Sequence, residues 1–238
     1  MARPRANGDG QVNDRAGAKA LRWRHRSDRS GAANPDGWDT LAAMTSRDPG
    51  GTKMPVSQLP PGLLDESGDC LHIGGTVRKR GWKVFNALPG DHVDIVGDLR
   101  DLSGLADATF DLVYASHVFE HLGYQTDLPK ALSEVARLLR PGGRLCVSVP
   151  DLPTLCRLYL EPSLGAAERF AIMRMMFGGQ IHPFDFHYVG LSDDYLAALC
   201  FSAGFTQVYK VPWFDFFDDT SKLAVFDVPI SLNMVAVR

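Results

Sequence analysis

The chain of 238 residues lacks several features that would place a protein in a class at once. It has no run of 18 or more apolar residues, so no membrane-spanning helix is expected and no membrane partner is predicted. Its first residues are rich in Arg, Asp and Gly, and a secretory signal would instead have a basic stub followed by an apolar block. No internal repeat is visible. These absences favour a cytoplasmic globular protein.

Cysteine is also scarce, and its spacing excludes the common cysteine sites. The four cysteines lie far apart and form no C-x-x-C pair. Most stand inside apolar segments, where a thiol packs as a small hydrophobic group. We therefore predict core residues, and neither disulfides nor metal ligands. The four are Cys70, Cys146, Cys156 and Cys200.

The low net charge of -3 conceals an uneven distribution. Residues 1–53 hold 10 Lys or Arg against 6 Asp or Glu, which leaves 15 against 22 for residues 54–238. The first part is thus basic by +4 and the second acidic by -7. An acidic body argues against a nucleic-acid backbone as the substrate, because binding to phosphates depends on Lys and Arg.

Residues 1–53 have little apolar periodicity, a composition that cannot bury enough surface to fold. We predict a disordered basic extension there and one domain over residues 54–238. The segment LRWRHR at 21–26 allows a weak contact with nucleic acid or another acidic surface. The alternative is a solvated tail.

From Met54 onward, short apolar runs alternate with segments of helical periodicity. The predicted strands, each bounded by Gly, Asp or Pro, are DCLHI, WKVF, VDIV, FDLVYA and RLCVSV, followed later by TQVYKV and ISLNMVAVR. The predicted helices are DLPKALSEVARLL, with Asp127 as its cap, and DLPTLCRLYL, AAERFAIMRMMF and DDYLAALCFSAGF. Strands that are apolar throughout indicate a parallel sheet buried on both faces. We predict an α/β, Rossmann-like, mostly parallel sheet with helices on both faces and a C-terminal antiparallel strand pair.

The stretch ASHVFEHL contains His117, Glu120 and His121 in the order H-x-x-E-H, which is found in the inverted zinc peptidases. Such an enzyme needs this motif inside a well-formed helix, with a third ligand from elsewhere. Here the motif directly follows a predicted strand, and Gly123 and Pro129 close the segment soon afterwards. We therefore expect no metal site, and His121 is interpreted as a structural residue.

Small and polar residues follow four predicted strands in turn. They are Gly74-Gly75, Asn86, Asp98 and Ser116-His117. In open parallel sheets, ligands bind outside the carboxyl ends of the strands, so these positions are expected to face one crevice. The alternative is that strand ends need small and polar residues for their turns.

The ordered series LHIGGTVRKRGW, VGDLRDL, FDLVYASHVFEH and LLRPGGRLCVSVPD resembles the class I S-adenosylmethionine-dependent methyltransferases, in particular a small bacterial group with a degenerate glycine motif. The resemblance covers about residues 70–151. It implies methyl transfer with S-adenosylmethionine as the cofactor. It also implies that residues 115–122 line the cofactor side of the sheet.

The resemblance implies a role for each strand end. Gly74 and Gly75 match the turn at which the backbone approaches the methionine part of the cofactor. Asn86 matches the acidic residue that accepts hydrogen bonds from the ribose hydroxyls. As an amide it brings no charge, so we expect a contact weaker by about 1 to 2 kcal/mol.

The later strand ends match the adenine and sulfonium contacts of the family. Asp98 corresponds to the aspartate that accepts from the adenine amino group, and Leu99 lies beside the ring. Ser116 and His117 match the segment next to the sulfonium.

The chain departs from the family around its first strand. The acidic residue and two glycines of the family's motif are missing, and six residues separate Gly75 from Trp82. The first helix is therefore expected to be absent or vestigial. The basic residues Arg78, Lys79 and Arg80 either replace its attraction for the cofactor carboxylate or form a solvated turn.

Methyl transfer needs a general base only if the acceptor must lose a proton. The candidates lie in GGQIHPFDFHYVG, where His187 is the predicted base and Asp185 the carboxylate that orients it. The acceptor is predicted to be a small molecule, a sugar or a protein side chain. The alternative is a methyltransferase fold without catalysis that serves as a binding or interaction module.

Overall fold

A computed structural model describes residues 59–238, so the predictions for residues 1–53 and for the domain start at Met54 lie outside the described residues. The described part of the chain contains nine strands. They are β1 Cys70–Ile73, β2 Trp82–Asn86, β3 Ile95–Val96, β4 Phe110–Ser116, β5 Leu139–Pro150, β6 Gln207–Val211, β7 Ala224–Val225, β8 Val228–Pro229 and β9 Ser231–Val237.

Seven of these strands form one sheet in the order β3-β2-β1-β4-β5-β9-β6. The pairs from β3 to β5 are all parallel, whereas β9 runs antiparallel to both β5 and β6. The predicted architecture, a mostly parallel sheet with an antiparallel strand pair at the C-terminus, is confirmed. The remaining strands, β7 and β8, form a separate two-stranded ribbon.

Four helices follow the predicted segments closely: α1 Asp127–Leu138, α2 Leu152–Tyr159, α3 Ala166–Phe177 and α4 Asp193–Ser202. Asp127 is the first helical residue, and Thr126 occupies the cap position that the sequence predicted for Asp127. Residues 74–81 between β1 and β2 contain no helix, as predicted. Two short 3-10 turns, Phe119–His121 and Thr220–Lys222, complete the described elements.

One face of the sheet packs against α1 and α4. Leu132 of α1 and Leu196 of α4 are fully buried together with Val113 of β4 and Val147 of β5. The apolar side of α1 that the sequence indicated is therefore the side that covers the sheet.

An aromatic loop covers the second face, where the sequence predicted helices. Phe214, Phe216 and Phe217 lie in a second cluster with Trp82 of β2 and Tyr114 of β4. The Tyr114 and Phe217 rings stack with centroids 5.8 Å apart. Large aromatic side chains bury enough surface to close a face without regular structure, which is why helical periodicity gives no sign of this layer.

Two further expectations are settled by the described residues. No helix among residues 59–238 is long and apolar enough to cross a membrane. The four cysteines are free thiols; three are buried, as predicted, and Cys156 is exposed.

Candidate cofactor site

A cavity of about 470 Å³ opens at the carboxyl ends of the parallel strands. Six of the seven predicted cofactor-contacting residues line it, and Gly75 does not. The six are Gly74, Asn86, Asp98, Leu99, Ser116 and His117. The strand ends are therefore brought together, although they come from four separate segments of the sequence.

Gly74 forms the turn at the end of β1 and needs to be glycine for two reasons. Its φ of +75° lies in the left-handed region, and an added Cβ would stand 2.5 Å from Val118 Cγ2. Its backbone N–H donates to the carbonyl oxygen of Phe85 at 2.8 Å. The first two strand tips are thus held close, with a bare backbone facing the cavity.

Gly75, predicted beside it as a cofactor contact, serves packing within the fold. An added Cβ there would lie 2.6 Å from His72 Nδ1 and 3.0 Å from Val84 Cγ1. The His72 ring packs against Phe217, with centroids 4.1 Å apart, and so belongs to the aromatic layer. Both glycines lie in the turn after β1, and the left-handed φ of Gly74 changes the direction of the chain between them, so their surroundings differ.

The amide of Asn86 is partly committed to the backbone. Its Nδ2 donates to the carbonyl oxygen of Gly75 at 2.9 Å, and its Oδ1 accepts from the N–H of Leu88 at 3.0 Å. An amide oxygen has two lone pairs, so Oδ1 keeps one acceptor position for a ligand.

Asp98 has a cationic partner that sequence reasoning missed. Its Oδ1 lies 2.9 Å from Arg100 Nε, and its Oδ2 accepts from the Nη2 of the same guanidinium. The side-chain hydrogen bond from Arg100 is the largest cause that lowers the pKa of Asp98, so the carboxylate stays ionised. Arg100 also lines the cavity. The two-residue spacing in D-L-R was the available signal.

Ser116 is the last residue of β4 and His117 follows it, and both line the cavity. Ser116 Oγ lies 3.1 Å from Thr220 Oγ1, and the backbone N–H of His117 donates to the Ser148 carbonyl at 2.8 Å. His117 has a φ of +52°, which a residue with a Cβ adopts only where the surroundings compensate. Burial is the main cause that lowers its pKa to about 4, so the ring is neutral near pH 7.

The loop after α3 reaches the cavity, but not through the predicted pair. His182, Phe184 and Tyr188 line the cavity, whereas Asp185 and His187 do not. The Asp185 carboxylate accepts from the Ile181 N–H at 3.2 Å, and among the described residues no hydrogen bond joins it to His187. The predicted pairing of Asp185 with His187 is therefore not observed.

His187 instead belongs to a partly buried group with two residues of the H-x-x-E-H motif. Its Nε2 lies 4.0 Å from Glu120 Oε1, and its ring centroid is 4.8 Å from that of His121. His121, interpreted from the sequence as structural, lines the cavity. Glu120 is almost fully buried, and its backbone carbonyl accepts from the Tyr188 N–H at 2.8 Å.

The basic residues that were predicted as a possible replacement for the first helix do not line the cavity. Arg78 pairs with Asp94 at 3.0 Å, and Lys79 pairs with Glu66 at 2.5 Å. Neither residue, nor Arg80, lines the cavity. Two of the three cations are therefore committed to other partners on the fold.

Residues 63–147 match the family described as "Methyltransferase domain". No protein of curated function matches the sequence.

Solved structures with a similar fold include a SAM-dependent methyltransferase from Archaeoglobus fulgidus, at 18% identity and a TM-score of 0.46 over 71% of this chain and 85% of that one. A possible histamine N-methyltransferase from Thermotoga maritima is 18% identical, with a TM-score of 0.44 over 76% and 84% of the two chains. The 1,6-didemethyltoxoflavin-N1-methyltransferase of Burkholderia thailandensis, solved with S-adenosylhomocysteine, is 18% identical, with a TM-score of 0.42 over 71% and 70%. Likeness at this level does not define an activity.

The family match covers β1 to β4 and most of β5, and the carboxyl ends of β1 to β4 are the ones that line the cavity. The part of the chain that forms the cavity is therefore similar to a methyltransferase domain, in a family whose cofactor is S-adenosylmethionine.

Proposed function

We propose that this chain transfers a methyl group from S-adenosylmethionine to a small molecule, a sugar or a protein side chain. The observation that carries the proposal is the convergence of six residues with predicted cofactor contacts on one cavity. The family match to residues 63–147 supports the same reaction. When bound, the cofactor supplies an activated methyl on a sulfonium.

The residues present fit that cofactor. The cavity of about 470 Å³ falls within the range of about 300–1,000 Å³ that small-molecule sites occupy. The bare backbone at Gly74 permits a close approach, and Leu99 offers an apolar surface for a ring. Asn86 keeps a free acceptor position, and Asp98 keeps its negative charge. Backbone, apolar and polar contacts are thus all available within one hollow.

The cavity is also lined by side chains without a predicted cofactor contact, and these are candidates to hold the acceptor. Besides Asn86, Asp98 and Leu99, the loop after α3 contributes Phe184 and Tyr188 to the lining. Both aromatic side chains are substantially exposed. A rim of this kind suits a small molecule or a sugar, which stacks on aromatic faces.

The protein's own contribution to methyl transfer is to hold the acceptor in line and to exclude water. Ser116 and His117 line the cavity and are fixed by hydrogen bonds to Thr220 and Ser148. Asp185 and His187 do not line the cavity, so no proton transfer from the acceptor is assigned to them.

The alternative of a binding module without catalysis has its argument in the hydrogen bonds already made by Asn86 and Asp98. The family match does not favour it. Both readings place a ligand in the same cavity, and they differ in whether S-adenosylmethionine binds there.

Calorimetric titration of the full chain with S-adenosylmethionine tests the proposal. Binding in the micromolar range is expected, and Asp98→Ala should weaken it at least tenfold. Asp101→Ala is the matched control, because Asp101 receives the Ser103 N–H at 3.1 Å and does not line the cavity. Absence of heat at millimolar cofactor, with a folded protein by circular dichroism, would overturn the proposal.

A further inference from the structure

Glu120 presents a buried carboxylate that lacks a partner. The residue is 1% exposed, and neither Oε1 nor Oε2 accepts a hydrogen bond from any described residue. Burial raises the pKa of Glu120 to about 8. A buried carboxylate needs a proton, a hydrogen-bond donor or a cation.

The nearest ring, His117, offers a lone pair to Glu120. The single hydroxyl hydrogen of Ser231 is donated to the Thr220 carbonyl at 2.7 Å. His117 Nε2, 3.0 Å from Ser231 Oγ, must therefore be the donor in that contact. In the neutral ring, Nδ1 is then unprotonated, and it lies 3.4 Å from Glu120 Oε1.

The tautomer of His121 is fixed by its hydrogen bond in the same way. Its Nδ1 lies 3.0 Å from the Phe186 carbonyl oxygen, which can only accept. Nδ1 of the neutral ring therefore carries the hydrogen, and Nε2 carries the lone pair. A carbonyl that fixes the tautomer in this way is the usual outer partner of a metal-binding histidine.

His187 adds a third potential ligand from the loop after α3. One ligand atom from each of Glu120, His121 and His187 can be chosen so that all three lie within 4.8 Å of one another. Ligand atoms around one tetrahedral zinc ion are roughly 3.3 Å apart, given bonds of about 2.0–2.2 Å. A modest closure of the side chains would complete a site.

We propose that Glu120, His121 and His187 bind one divalent transition-metal ion, with Zn²⁺ as the reference case. Two imidazoles and one carboxylate form a ligand set of zinc sites that keep an open coordination position. His121 lines the cavity, so that open position would face the cavity. The inference stands on the cluster's geometry and does not depend on methyl transfer.

The site differs from that of the zinc peptidases, although it uses two residues of the same motif. His117 has left-handed backbone angles at the end of β4, and only Phe119–His121 form a single 3-10 turn. The motif's first histidine therefore stands beside the carboxylate, while His187, 66 residues beyond His121, supplies the third ligand.

The competing arrangement is a neutral Glu120 whose carboxylic acid donates to His117 Nδ1. The two arrangements predict different behaviour for Glu120→Gln. A glutamine amide can replace the acid as a donor and preserve the fold, but it is a poor ligand for zinc.

The test uses the full chain without a histidine tag, stripped of metal by a chelator and titrated with Zn²⁺ against a chromogenic competitor. One equivalent should bind with submicromolar affinity, and Zn²⁺ should raise the melting temperature, because a ligand of the native state stabilises it. Glu120→Gln should weaken binding at least 100-fold and abolish the rise. His182→Gln is the matched control: it lines the cavity outside the cluster and should bind as the parent does.

Two further variants keep the test decisive. His187→Gln repeats the measurement if Glu120→Gln fails to fold, as judged by circular dichroism. Cys156→Ser removes the exposed thiol as an adventitious ligand, and the stoichiometry should stay at one. Failure of the parent protein to bind one equivalent, or unchanged binding by a folded Glu120→Gln variant, would overturn the proposal.

Discussion

The side-chain amide of Asn86 ties the first two strand tips together by donating from Nδ2 to the carbonyl oxygen of Gly75, at 2.9 Å. The contact joins the end of β2 to the turn after β1. It fixes the distance between the two backbones that form one wall of the cavity. The methyltransferases that the sequence resembles have an acidic residue at this position, and a carboxylate could not donate this hydrogen bond.

Asn86→Asp is therefore expected to destabilise the fold. The new carboxylate still accepts from the Leu88 N–H, but it loses the donation to Gly75 and faces that carbonyl oxygen. We expect the free energy of unfolding to fall by about 1 kcal/mol or more, measured by urea denaturation at pH 7. Asp91→Asn, at an exposed position in the next loop, is the control and should stay within about 0.5 kcal/mol. Equal stability of Asn86→Asp and the parent protein would contradict this account.

Arg100→Ala is expected to raise the pKa of Asp98 towards its ordinary value. The side-chain hydrogen bond from Arg100 is the largest cause of its lowering. Since the folded pKa lies below the unfolded one, the pair's contribution is present above pH of about 4 and is lost as the pH falls further. The contribution of the pair to the free energy of unfolding should stay below about 1 kcal/mol because both side chains are exposed. Carboxyl-carbon NMR titration measures the shift, and Arg80→Ala, outside the cavity, should leave Asp98 unchanged.

The sequence predicts this fold well because the central strands contain continuous apolar runs, such as residues 112–115 of β4 and 145–147 of β5. Neighbouring residues of these strands face different cores, as Leu71 and Cys70 do, and both are apolar because both faces of the sheet are covered. The aromatic layer on the second face escaped prediction because Phe214, Phe216 and Phe217 follow no helical or strand period. Their burial is decided by the position of the loop over the sheet.

For the candidate site, strand ends were predictable and side-chain pairing was not. A parallel sheet places successive carboxyl ends along one edge, so Gly74 and Asp98 could be assigned to one crevice from their order alone. Asp185 and His187 are two residues apart, yet the carboxylate beside His187 is Glu120. Long-range partners of this kind depend on how a loop returns to the sheet, which local sequence does not encode.

His72 should make stability depend on pH below neutrality. Burial lowers its pKa to about 4 and Asp219 partly opposes this, while the surrounding Trp82, Tyr114 and Phe217 are aromatic. In the unfolded chain, His72 takes up a proton below about pH 6.5, whereas in the folded chain it stays neutral down to about pH 4. Its contribution to the free energy of unfolding is therefore fully present above pH 6.5 and falls by roughly 1 kcal/mol per pH unit towards pH 4.

Replacing the ionisable ring of His72 separates its contribution to the pH dependence of stability from the contributions of the other histidines. His72→Phe keeps an aromatic ring beside Phe217 and should flatten the pH dependence between 4.5 and 6.5 by roughly 1 kcal/mol per pH unit, in urea unfolding at a series of pH values. His92→Phe removes a histidine at a partly exposed site as the matched control. An unchanged slope in His72→Phe would mean that His72 takes up its proton in the folded state.

Gly178 closes the loop that carries His182, Phe184 and Tyr188 to the cavity. Its φ of 83° and ψ of 167° lie in a region open almost only to glycine, and an added Cβ would stand 2.0 Å from the Asp185 carbonyl oxygen. Gly178→Ala should therefore combine backbone strain with a clash and lower the free energy of unfolding by roughly 3 kcal/mol or more.

Gly142→Ala separates those two costs. Gly142 has a φ of +78°, but an added Cβ would meet nothing within 4 Å, so its cost should be backbone strain alone, about 1–2 kcal/mol. Denaturant unfolding of both variants measures the difference. If the loop can move away, Gly178→Ala will match Gly142→Ala in stability, and hydrogen exchange in residues 179–188 will rise instead. Equal stability with unchanged exchange would show that the contact between Gly178 and Asp185 does not hold the loop in place.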